Sequence, residues 1–120
     1  YTALSYTWGK CDPDCTVLVD GTPVRVTRNL KRFLDQAARL HKYRSRQHWI
    51  DAICIDQTSM TECTHQVGLM ADIYSKARSV LVWLGPAYRG SQTAMKMLRG
   101  QYRREIWIEA EAQLCEFQLV

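Results

Sequence analysis

WIDAICIDQTSMTECTHQVGLMADIYSKARSVLVWLGP, residues Trp49 to Pro86, is the stretch whose reading decides the fold. Trp49 to Ile55 is a nearly continuous apolar run carrying one acid, Asp51, and it ends in the polar pair Asp56-Gln57. Ser79 to Leu84 is a second apolar run, closed by Gly85-Pro86. Between them, Ser59-Met60-Thr61-Glu62 fits a capping box, in which a hydroxyl and a carboxylate satisfy backbone donors at a helix start. Val67, Met70, Ile73, Tyr74 and Ala77 then form a core stripe on a helix reaching about Lys76. The unit reads as buried strand, polar turn, capped helix, buried strand. Strands apolar on both faces and joined through a helix indicate a parallel sheet covered on both sides. Such sheets bind ligands just past the carboxyl ends of their strands. Asp56 and Gln57 stand at that edge.

Working outward, Thr2 to Tyr6 reads as a strand, followed by a turn at Thr7-Trp8-Gly9. Thr16 to Val19 and Pro23 to Val26 alternate and are β-branched, and Asp20-Gly21 between them is a hairpin signal because glycine tolerates positive φ. Thr27 can cap a helix from Arg28 to about His41, with Leu30, Phe33, Leu34, Ala37 and Leu40 on one face. Beyond Pro86, Ser91 to Arg99 and Tyr102 to Leu114 read as helices, and Cys115 to Val120 as the last strand. The order predicts a small doubly wound α/β domain. Its sheet is mainly parallel with helices on both faces, and a β-hairpin is inserted after the first strand.

The 120 residues fit a single domain, and the 47% apolar fraction is that of a globular chain. The start at Tyr1 and the apolar end at Phe117 to Val120 suggest an excerpt of a longer, multidomain protein. No apolar stretch approaches the ~20 residues that span a bilayer, so no membrane partner is expected. Five cysteines are an odd number. Cys54 and Cys115 read as core residues, and Cys11-x3-Cys15 lacks a second Cys/His pair for a metal. The expectation is a reduced cytoplasmic protein with no metal site. Much of the net charge of +4 sits in Arg39 to Arg46, RLHKYRSR. A nucleic-acid interface would use Lys42, Arg44 and Arg46 on phosphates and stack on Tyr43. A solvated helix end, where cations suit the dipole, is the favoured reading.

The sequence holds no Gly-rich phosphate loop, no G-x-S-x-G elbow and no HExxH. His41, His48 and His65 are scattered. What remains is a polar and aromatic set at strand ends: Ser5, Tyr6, Trp8 and Gly9 after the first strand, Asp51 inside the second, and Asp56 and Gln57 at its end. A buried unpaired carboxylate costs several kcal/mol, so Asp51 either has a partner that holds a loop or lines a wet crevice. Trp8 either stacks on a flat ring or covers the sheet end. On the expected last helix, Trp107 and Glu111 are at i and i+4. A carboxylate on an otherwise apolar face is paired or functional.

Three blocks resemble the heterokaryon incompatibility (HET) domain of filamentous fungi. They are YTALSYTWG (Tyr1 to Gly9), the Trp49 to Gly85 unit, and YRREIWIEAE (Tyr102 to Glu111). The third departs from the family pattern: Arg103, Glu105 and Ala110 replace Trp, Arg and Gln, while Trp107 and Glu111 are kept. Cys63 also stands where an Arg usually follows the capping Glu. The resemblance implies an effector of vegetative incompatibility that triggers programmed cell death on non-self recognition. Its partners would be other protein domains of that system and further copies of itself. The family is distantly similar to Toll/interleukin-1 receptor (TIR) domains, some of which cleave NAD with a Glu in a later helix. By that analogy Glu111 is the catalytic candidate. Ser5, Tyr6, Trp8, Gly9, Asp51, Asp56, Gln57 and Trp107 would bind the dinucleotide, as substrate and not as cofactor. A non-enzymatic assembly module stays open beside it.

Overall fold

A computed structural model describes residues 1–10, 15–89, 91, 93, 95–97, 106–109 and 114–118, the last two stretches as backbone. Strand β1 (Thr2–Tyr6) leads to a hairpin of β2 (Thr16–Val19) and β3 (Thr22–Arg25). Helix α1 (Arg28–Arg39) follows, then a helical turn α2 (His41–Arg44) and the short strand β4 (His48–Trp49). Next come one turn of helix α3 (Asp51–Cys54), the long helix α4 (Met60–Ser75) and β5 (Ser79–Trp83). Residues 91, 93 and 95–97 are helical. Strands β6 (Ile106–Glu109) and β7 (Leu114–Gln118) close the described chain.

The main sheet has the order β4-β1-β5-β7-β6. β4, β1 and β5 run parallel, with Thr2 opposite both His48 and Ser79 and Leu4 opposite Leu81. This is the predicted α/β core. β7 joins β5 antiparallel, Trp83 against Leu114, and β6 pairs antiparallel with β7. β2 and β3 form a separate two-stranded sheet. Their turn has φ 49° at Asp20 and 79° at Gly21, the left-handed pair that an Asp-Gly hairpin turn requires.

The core forms where α1 lies on the parallel strands. Thr27 caps the helix, its hydroxyl accepting from the Leu30 N–H at 3.3 Å. Leu30, Phe33 and Ala37 then fall on one buried face. They meet Leu4, Leu81 and Trp83 from the strands, with Val26, Tyr43 and Ile50 around them. Phe33 packs at 6.0 Å from Trp83 and edge-on to His48 at 6.3 Å. Leu4, Leu30, Phe33 and Leu81 are fully buried, and each contributes about 1.5–3 kcal/mol relative to exposure.

The structure corrects three expectations. The Trp49 to Ile55 run is not one strand. It leaves β4 after Trp49 and makes a helical turn in which the Cys54 N–H reaches the Ile50 carbonyl at 2.8 Å. An unbroken apolar run does not by itself distinguish strand from buried helix, and Asp51 suits a helix's first turn. Ile50 and Ile55 bracket the turn and are buried, while Cys54 is exposed and not a core residue. Second, Tyr102 to Leu114 is not one helix, since residues 106–109 are β6. Ile106, Trp107 and Ile108 are β-branched or aromatic residues that favour a pleated surface, and β7 supplies the pairing partner. Third, Val67 is 64% exposed instead of packed in the core. Met70, Ile73 and Tyr74 are half-buried, and Ala77 is buried. The disfavoured nucleic-acid alternative loses its stacking residue, since Tyr43 is only 1% exposed, with Lys42 and Arg46 over its ring at 5.2 and 5.6 Å. It is a core aromatic and not a base-stacking platform.

Candidate functional site

The carboxyl end of β1 and the turn after α3 converge on Asp51. Asp51 opens α3, and its Oδ1 accepts the Ala52 N–H at 2.7 Å. Its Oδ2 accepts the Trp8 indole N–H at 2.7 Å. The half-buried acid therefore has a partner that holds a loop, and the loop after β1 is fastened to α3. Trp8 in turn lies parallel to Tyr6, with centroids 6.5 Å apart and planes within 8°. Gly9 follows at φ 72°, with nothing among the described residues within 4 Å of its Cβ position, and that left-handed conformation favours glycine there.

Two tyrosines feel the Asp51 charge. Burial first, then the carboxylate, raises the Tyr6 hydroxyl far above the ordinary tyrosine value. That oxygen is buried and lies near Asp51, but makes no hydrogen bond of ordinary geometry. Tyr74 of α4 donates to the Leu4 carbonyl at 2.9 Å, and burial followed by the Asp51 charge raises its pKa too. A neutral phenol is favoured where burial disfavours the phenolate and a carboxylate repels it.

Past α3 the chain is held by its own side chains. Gln57 Nε2 donates to the Asp51 and Ile55 carbonyls at 2.9 and 3.2 Å. Asp56 Oδ1 accepts from the Thr58 hydroxyl at 2.7 Å and the Thr58 N–H at 2.9 Å. These two donors lower its pKa, the hydroxyl most, so this exposed carboxylate is held ionised. Ser59 caps α4 by accepting the Glu62 N–H at 3.2 Å. The Glu62 carboxylate accepts the Asp56 N–H at 3.1 Å. Its structural role is as expected, although the donor it serves is Asp56.

The structure thus brings Tyr6, Trp8 and Asp51 together, with Gln57 bonded to the Asp51 backbone and Asp56 beside it in the chain. Ser5 is half-buried on β1 opposite Val82. Trp107 lies on β6, separated from β1 by β5 and β7. Glu111 lies outside the described residues, and the helical i, i+4 relation to Trp107 gives way to a strand at Trp107. Sequence reasoning missed two members. Tyr74 read only as a core-stripe residue. Asn29, in the first turn of α1, donates to the Thr7 carbonyl at 2.6 Å and accepts the Trp83 indole N–H at 2.9 Å. It ties the ends of β1 and β5 to one helix. An amide one residue before the buried Leu30 was the available signal. Beside Trp83, a crevice of about 470 Å³ runs between Arg32, Gln36 and Arg39 of α1 and Pro86-Ala87.

Chemically, Asp51 is a fastening carboxylate, because one oxygen accepts from Trp8 of the loop after β1 while the other accepts from Ala52 within its own helical turn. Trp8 still exposes 39% of its surface at the sheet edge, and Asp56 offers a solvent-facing negative charge. Among the described residues no helix is long and apolar enough to cross a membrane.

In comparison with known proteins, residues 1–116 match the family model described as heterokaryon incompatibility protein (HET). The chain is 41% identical over 109 residues to heterokaryon incompatibility protein 6, OR allele, of Neurospora crassa. That alignment covers 82% of this chain and 16% of the relative, so the chain spans a small part of that protein's length. No solved structure matches it.

Proposed function

The chain belongs to the heterokaryon incompatibility (HET) family, and on that premise we propose that it is an effector and signalling domain of fungal vegetative incompatibility. It triggers cell death on non-self recognition by assembling with other protein domains and with further copies of itself. The observation that supports this reading is how the sheet-edge polar groups are employed. Trp8, Asp51, Asp56 and Gln57 are bound to one another or to nearby loop residues. What faces outward instead is α4, with Met60 80%, Val67 64% and Leu69 38% exposed. Exposed apolar side chains grouped on one element favour protein contact. The test is Val67→Lys in the full-length protein, with sedimentation for assembly and cell viability in a fungal host for output. Loss of both with an unchanged melting profile is expected. Assembly and killing at parental levels would refute it.

A second reading is cleavage of NAD, suggested by the resemblance to TIR domains and favoured by the exposed face of Trp8 at the carboxyl edge of β1. Departure of nicotinamide develops oxocarbenium character on the ribose. Glu111 would stabilise that charge and Trp8 would pack on a ring. Nicotinamide release by the full-length protein, lost in both Glu111→Ala and Trp8→Ala variants assayed well below their melting temperatures, would support it. A folded, assembled parent that releases none would leave the assembly reading alone.

A further inference from the structure

A cleft of about 330 Å³ opens at the end of the sheet opposite Trp8 and Asp51. Strand register builds it. β4, β1 and β5 are parallel neighbours, and Thr2 stands level with His48 and Ser79. The residues one step earlier, Gln47, Tyr1 and Arg78, are therefore level too. The Thr2 N–H donates to the Gln47 carbonyl and the Arg78 N–H to the Tyr1 carbonyl, both at 2.9 Å. Adjacent strands lie ~4.8 Å apart, so the outer two place their leading residues on walls ~10 Å apart. Arg78 comes from one wall, and Arg46, preceding Gln47, from the other. The Arg46 guanidinium lies 5.6 Å from the centroid of the buried Tyr43 ring, which holds it at that wall. Between the walls, the Thr2 and Ser79 hydroxyls meet at 3.1 Å on a buried floor. Ser45 and Gln47 add further polar groups, and none of the lining residues among those described is acidic.

We infer that this cleft binds the phosphate of a small phosphorylated ligand, a phosphomonoester such as a mononucleotide. Arg78 and Arg46 pair with the anion from opposite sides, and Ser45 and Gln47 donate to its remaining oxygens. Guanidinium groups suit this task because their N–H fork matches phosphate oxygens. The concave shape and volume are those of a small-molecule site. The aromatic that a nucleic-acid strand would need from this basic segment, Tyr43, is buried instead. The site is independent of the fastened edge around Asp51.

The test is calorimetric titration of the full-length protein with AMP, inorganic phosphate and an unphosphorylated oligonucleotide. AMP is expected to bind saturably. Arg78→Gln is expected to weaken it about tenfold or more, the scale of one charge-assisted hydrogen bond, and Arg46→Gln likewise. Arg78→Lys should retain part of the affinity, and Arg32→Gln, in the α1 crevice, all of it. Inorganic phosphate binding as tightly as AMP would identify free oxyanions as the source. Weaker phosphate binding would identify the nucleotide. A protein of parental melting profile that takes up neither AMP nor phosphate at millimolar concentration overturns the assignment. So does AMP binding that is indifferent to Arg78, or a preference for the oligonucleotide.

Discussion

Removing the Trp8 indole N–H should uncouple the loop after β1 from α3. The perturbation is Trp8→Phe, which keeps an aromatic face against Tyr6 and deletes the donor 2.7 Å from Asp51 Oδ2. Hydrogen bonds to charged groups contribute about 1.5–3 kcal/mol. Trp8 is 39% exposed, so water can replace part of the bond and the lower end applies, about 1.5 kcal/mol. For a domain of this length that corresponds to a melting-temperature fall of about 6 °C. A double-mutant cycle with Asp51→Ala isolates the pair, because each single change deletes the same bond. The expected coupling in urea unfolding is about 1–1.5 kcal/mol. Asp51→Asn adds a second readout, since removing its charge should bring the Tyr6 and Tyr74 pKa values down together. A coupling within the ~0.3 kcal/mol expected of independent sites, with both tyrosines unmoved by Asp51→Asn, would refute the view that this carboxylate organises the edge.

Further outcomes follow from the same geometry. Asn29→Ala should cost about 2 kcal/mol in urea unfolding, because it leaves the buried Trp83 indole N–H without an acceptor. Gly85→Ala should cost about 1–2 kcal/mol by thermal melting. Its φ is 91° while, among the described residues, its Cβ would meet only Asn29 Oδ1 at 3.8 Å, so the cost comes from backbone conformation. Tyr6 and Tyr74 ionise later in the folded than in the unfolded chain. The folded state therefore holds more protons above pH 10, and stability should fall as pH rises through that range, with tyrosinate absorbance appearing on unfolding. Asp56 has the opposite sign. Its folded pKa lies below the ordinary 3.8, so its contribution is present above that value and lost as pH falls through the folded one. Thr58→Ala should flatten that acid limb of the stability profile.

How much of this was legible before the structure differs by element. α1 and the β2–β3 hairpin were, because Thr27, the Leu30-Phe33-Ala37 spacing and Asp20-Gly21 act through local physics. The parallel core was legible through Ser79 to Leu84, a run with few alternatives. Trp49 to Ile55 was misread because periodicity does not separate a short buried strand from one apolar helical turn. Residues 106–109 were misread because a helical spacing of Trp107 and Glu111 was set above the strand preference of Ile106 and Ile108. At the site, Asp51's need for a partner was readable from its apolar surroundings, but which donor would meet it was not. Trp8 is 43 residues away in the chain, and Asn29 and Trp83 are 54 apart. Contacts at such separations follow from strand register, which a single sequence states only indirectly.

The central place of β1 in the sheet has a consequence for synthesis. β1, made before its partners, is bordered by β4 and β5, and its pairing with β5 joins Thr2 to Ser79 across 77 residues. At ~5–20 residues per second, a ribosome needs about 4–15 s to make the chain between them. Throughout that interval β1 carries Ala3 and Leu4, both buried in the finished domain, with its β5-facing backbone edge unpaired. The domain is therefore most exposed to mispairing before β5 emerges, and a chaperone that shields β1 would act where the fold is slowest to protect itself.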